Sequence, residues 1–132
     1  MTRSWLSHFS SKENLRKLVQ ESLGCKCPLE VFDRYTAEWI SSAGWRYARV
    51  VVGDRLLMYM VPCNKNVSKP NEILELTKKG IRERDGKGLN RFRLVFVEPP
   101  QGLRKNLEQV EAAISDPKVH FHILNSIFEN LQ

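Results

Sequence analysis

The sequence predicts an α/β (α+β) fold: a single domain built on a mixed β-sheet that contains a β-hairpin, with helices packed on it. Three observations lead there. The spacing of apolar residues changes from helical to extended near residue 45. Two apolar stretches, 45–52 and 55–61, are separated only by Gly53-Asp54, a short hairpin connection. Beyond Pro62, helical and extended stretches alternate, as they do when strands are joined through helices that cover a sheet. With 132 residues and 42% hydrophobic content, the chain has material for one core and no second domain.

The first helix is expected over 11–23. Ser10 and Glu13 stand at capping-box spacing, Leu15, Leu18, Val19 and Leu23 form one apolar stripe, and Gly24 suits the C-terminal cap. A second helix is expected after Cys27, with Pro28 at its first position and Val31, Phe32, Tyr35, Trp39 and Ile40 at helical spacing. It would end at the small-residue cluster 41–44. The hairpin follows, and Val50, Val52, Leu56 and Met58 leave it few polar positions, so both its faces should be covered.

Pro62 closes the second hairpin strand, and 63–69 reads as a polar loop. Pro70 opens a third helix carrying Ile73, Leu74, Leu76, Thr77 and Ile81, which ends before Gly86-Lys87-Gly88. Residues 91–97 alternate as a strand, with Phe92, Leu94 and Phe96 on one face, and Pro99-Pro100 stops it. A fourth helix over 101–115 carries Leu103, Leu107, Val110, Ala113 and Ile114. After Asp116-Pro117 a short strand is expected over 118–123 and a last helix over 124–131.

No apolar run approaches the roughly 20 residues that span a bilayer. The first nine residues lack the basic start and long apolar stretch of a signal peptide, which leads to the expectation of a cytoplasmic protein with no membrane partner. Three cysteines are an odd set for a secreted disulfide scaffold and suit reduced thiols or a metal.

Cys25-Lys26-Cys27-Pro28 is the one local stretch with a chemical direction. At the N-cap of the expected second helix, Cys27 would feel the helix dipole and the charge of Lys26, both of which favour thiolate. Cys25 could resolve it through a short, strained and easily reduced bridge. Cys63, at a strand end, and His120 and His122, on one face of the last strand, complete a set arithmetically able to hold zinc or iron. Buried small thiols and ordinary strand histidines would leave the same letters. A dyad of Cys27 with His120 or His122 lacks an orienting partner that the sequence can nominate.

Charge supplies a second lead. Lys and Arg exceed Asp and Glu by 21 to 15, a formal charge of +6 that favours anionic partners. The excess gathers at Lys78, Lys79, Arg82, Arg84, Lys87, Arg91 and Arg93, against only Glu83 and Asp85, around a glycine loop whose amides could also meet phosphates. Arg46, Arg49 and Arg55 on the hairpin would extend it. A solvated helix end would carry similar charges, since cations favour helix C-termini.

Catalytic templates are missing: there is no Gly-x-Ser-x-Gly, no His-Glu-x-x-His and no Gly-x-Gly-x-x-Gly. The order helix, hairpin, helix, strand, helix, with Asp54 in the hairpin, resembles the core of restriction-endonuclease-like nucleases. The acidic-x-Lys signature that this resemblance implies on the next strand is absent, because Cys63-Asn64-Lys65 has no carboxylate there. Trp5, Trp39 and Trp45, with Leu6 and Phe9, could serve a homodimer contact. Two readings emerge: a binding or regulatory module with a thiol site at Cys25 and Cys27, or a non-enzymatic binder of nucleic acid or phosphate.

Overall fold

A computed structural model describes residues 8–24, 26, 28–42, 45–63 and 70–124. Among the described residues, His8 and Phe9 are helical, and after a turn comes α1, an α-helical turn Lys12–Arg16 that continues without a break as a π-helical stretch, Lys17–Ser22. Its N-cap is Ser11, whose Oγ accepts from the Asn14 amide at 3.3 Å, one residue later than the expected Ser10. Gly24 follows with φ of +69°, the left-handed geometry that glycine adopts at low cost after a helix.

The expected second helix is replaced by two other elements. Only Leu29–Asp33 coils, as a short 3-10 turn, and Tyr35–Ser42 is the first strand, β1. Pro28 precedes the turn in an extended conformation, with φ −64° and ψ 153°, so the long helix expected to open at Pro28 is not formed. The physical reason lies in the residues: Tyr35, Thr36, Trp39 and Ile40 are aromatic or β-branched and favour a pleated surface. An eight-residue antiparallel register with β2, from Tyr35 opposite Val52 to Ser42 opposite Trp45, satisfies their backbone groups.

The remaining elements follow the expected order: β2 (Trp45–Val52), β3 (Leu56–Pro62), α2 (Pro70–Gly86), β4 (Arg91–Val97), α3 (Gln101–Ala113) and β5 (Val119–Leu124). The helix expected over 124–131 falls outside the described residues except for Leu124, which ends β5. The sheet runs β1-β2-β3-β4-β5, antiparallel through β3 and parallel from β3 to β5. Two crossover helices, α2 and α3, supply the parallel joins, as parallel pairing requires.

The sheet divides the core into two layers. Ala48, Val50, Val52, Leu56, Met58, Met60, Val95 and Val97 face Phe9, Leu15, Leu18, Val19, Leu23 and Phe32 on the α1 side. Tyr47, Leu57, Tyr59, Val61, Phe92, Leu94 and Phe96 face Ile73, Leu76, Leu103, Leu107 and Val110 on the other. Strand β3 is buried at six successive positions, so the hairpin is covered on both faces as its composition requires. No helix among the described residues is long and apolar enough to cross a membrane.

Candidate anion-binding site

The parallel strands β3, β4 and β5 all begin at one end of the sheet, and α1 ends above it. There a cleft of about 280 Å³ is lined by Gly24, Lys26, Pro28, Arg55, Leu56, Asn90, Arg91 and Arg93. Four of these carry positive charge and none carries negative charge. Local structure sets them side by side: the Arg55 carbonyl accepts from the amides of Asn90 and Arg91, at 2.8 and 3.0 Å, which ties the hairpin turn to the start of β4. Lys118 Nζ donates to Asn90 Oδ1 at 3.0 Å, leaving the Asn90 NH2 as the group it offers to a ligand.

The four cations differ in depth. Lys26, Arg55 and Arg91 are exposed, whereas Arg93 is only 7% exposed. A guanidinium is expensive to bury without a counter-charge, and among the described residues no carboxylate pairs with Arg93. Its NH1 donates to the Leu23 carbonyl at 2.9 Å, at the end of α1, and lies 2.7 Å from His122 Nε2. Its Nε makes no hydrogen bond to any described residue. Burial, and then the Arg91 charge, depress the Arg93 pKa below the ordinary arginine value.

His122 answers to the same group. Arginine has only donors, so His122 Nε2 must accept, which fixes a neutral ring protonated on Nδ1. Burial, then Arg93 and His120, push its pKa down to about 4. His120 and His122 stand opposite Arg93 and Val95 in the register, on the α1 side of the sheet.

Cys63 belongs to the opposite layer. It packs against the cluster beneath α2 and α3, its Sγ lies 3.7 Å from the Val61 carbonyl, and burial pushes its thiol up to about 12. The sheet therefore stands between Cys63 and the two histidines, which separates the members of the expected metal set. Cys25 and Cys27 lie outside the described residues, and among the described residues no three His, Cys, Asp or Glu side chains gather as metal ligands. Asp54, the carboxylate of the nuclease resemblance, sits in the hairpin turn with φ of 56°, 3.7 Å from Arg34.

The basic run from Lys78 to Arg93 is divided rather than continuous. Arg84 is buried between Asp85 and Asp116, at 2.9 and 2.6 Å, and so serves structure. Lys87 pairs with Glu83 at 3.0 Å, and Lys79 lies over the Tyr47 ring, 5.7 Å from its centroid. Lys79 and Arg82 share a groove with Glu72, Glu75, Leu76 and Trp45, where charge is mixed, and Lys78 is exposed on α2. Only Arg91 and Arg93 of the run reach the cationic cleft, where Arg55 and Lys26 join them. Of these two, the sequence predicts Arg55 as an extension of the patch, and Lys26 only as a neighbour of thiols. The alternation of Arg91 and Arg93 in a strand that is otherwise apolar was the signal for a charge turned inward.

Compared with known protein families, curated proteins and solved structures, the chain matches no family model, no curated protein and no solved structure.

Proposed function

We propose that the protein is a non-enzymatic binding module that takes a phosphate-class anion in the cleft of Lys26, Arg55, Arg91 and Arg93. The observation that carries this reading is the buried Arg93, which lines the cleft and whose charge has no carboxylate partner among the described residues. An anion in the cleft would sit against that guanidinium and offset its burial cost. Three exposed cations at the rim would draw the anion in and add contacts. The position departs from the common rule for α/β sheets, in which ligands sit beyond the carboxyl ends of parallel strands. Here the charge collects at the amino ends, where α1 terminates.

Calorimetric titration with inorganic phosphate and pyrophosphate tests the proposal. Loss of one charge-assisted hydrogen bond is worth about 1.5–3 kcal/mol, so Arg93→Met should weaken binding roughly 10- to 100-fold, while Lys79→Gln leaves it unchanged. Equal weakening by both variants would point to diffuse surface charge and contradict the proposal.

The thiol reading is supported by one adjacency: Lys26, which lines the cleft, is flanked in sequence by Cys25 and Cys27. Oxidation of two thiols should then alter phosphate affinity. Thiol titration with metal analysis, repeated with and without phosphate, checks it; three unreactive thiols and no stoichiometric metal would refute it.

A further inference from the structure

The geometry points to a ligand that enters the cleft by a terminal phosphate, a phosphomonoester, in preference to the bridging phosphodiester of a continuous nucleic-acid strand. This inference rests on the anion-binding reading and adds the chemical class of the ligand. Its basis is the contrast in depth among the four cations. Lys26, Arg55 and Arg91 are exposed at the rim, and Arg93 is buried in the wall.

An anion that uses all four must push one face of its phosphate inward as far as Arg93. A monoester has three unsubstituted oxygens and can present them together, while its single carbon substituent leaves through the mouth. A diester has only two such oxygens, and both of its substituents would have to turn back through the same opening. The cleft, about 280 Å³, has room for a phosphate and a short stem, so the number of free oxygens rather than size makes the choice.

Charge favours the same choice. A monoester carries about −1.5 to −2 near neutral pH, and a diester carries one negative charge. Four cations and no carboxylate line the cleft. The Asn90 NH2, with Oδ1 engaged by Lys118, supplies a neutral donor beside them. Arg93 itself is held in place by the Leu23 carbonyl and by His122, so the cleft is organised before a ligand arrives.

The test compares matched ligands. Methyl phosphate is set against dimethyl phosphate by calorimetry, and a 5′-phosphorylated oligothymidylate against its 5′-hydroxyl counterpart by fluorescence anisotropy, with the dye on the 3′ end. The expected result is at least tenfold tighter binding of each monoester than of its partner, a preference that Arg93→Gln abolishes. Methyl phosphate binding as tightly as the phosphorylated oligonucleotide identifies a small phosphorylated molecule, and tighter binding of the oligonucleotide identifies a chain end; both support the inference. Equal binding of the 5′-phosphorylated and 5′-hydroxyl strands overturns the terminal preference and leaves the anion site standing. Failure of every probe to bind overturns both. Should Arg93→Gln not fold by circular dichroism, Arg91→Gln and Arg55→Gln, both at exposed positions, must narrow the preference for the monoester; an unchanged ratio in both contradicts the inference.

Discussion

Arg93 and His122 form a pair whose behaviour depends on pH in a calculable direction. His122 titrates normally near 6.5 when unfolded and at about 4 when folded, so the folded state binds this proton less readily. The stability from the neutral ring is therefore present above about pH 6.5 and is lost as pH falls towards about 4. A shift of this size sets an upper bound of about 3 kcal/mol on the effect. Urea denaturation across that window should show the loss. His122→Gln supplies an amide oxygen near the Nε2 position that accepts from Arg93 at every pH, and should flatten the profile by the His122 share. An identical profile in the variant would mean that other groups govern the acid response.

Elements are held to one another by a few contacts that make sharper predictions than their general burial does. Gly80 lies on the face of α2 that meets β4, and a Cβ there would come within 2.1 Å of the fully buried Phe92 ring. Alanine would gain about 1 kcal/mol of helix propensity and lose about 1–3 kcal/mol to overpacking. Gly80→Ala should therefore lower the thermal midpoint, and a rise would show that the ring yields. Nearby, Glu83 of α2 accepts from Tyr59 of β3 and pairs with Arg49 of β2 and Lys87. Burial pushes its pKa up, but these donors outweigh it and hold the carboxyl at about 2. Tyr59→Phe should cost about 1 kcal/mol and raise the Glu83 pKa, as read by side-chain NMR.

The same scale shows where sequence reasoning succeeded and where it stopped. Strand β4 and helix α2 were legible because period, Pro70 and Gly86-Lys87-Gly88 all agreed about them. Residues 31–40 were not, since Val31, Phe32, Tyr35, Trp39 and Ile40 fit a helical stripe and also fit a turn followed by a strand. The pairing of β1 with β2 decided between them, and its local sign, Ala43-Gly44 between the paired Ser42 and Trp45, reads equally as the end of a helix. The cationic cleft was legible only in part. Arg91, Arg93 and Arg55 were visible as charges, but their separation from Arg84 and Lys87 depends on the ion pairs each finds across the fold.

At the scale of the whole molecule, the two layers of core make a rigid frame that brings one end of α1 and the starts of β3 and β4 to a single cleft. The formal charge of +6 would attract any anion, so attraction alone does not identify the site. Exposed cations are screened by salt, and a buried one much less. Phosphate affinity should therefore fall with added chloride to a lower limit that depends on Arg93, and Arg93→Met should remove that residual binding.

The most direct measurement follows the Arg93 Nε–Hε resonance by ¹H–¹⁵N NMR, assigned by its absence in Arg93→Lys, during titration with phosphate. A saturable shift of this resonance, at concentrations that leave the Arg46 and Arg104 signals in place, is the predicted result. A stationary Arg93 signal while exposed arginines drift together would contradict the cleft as the site of binding.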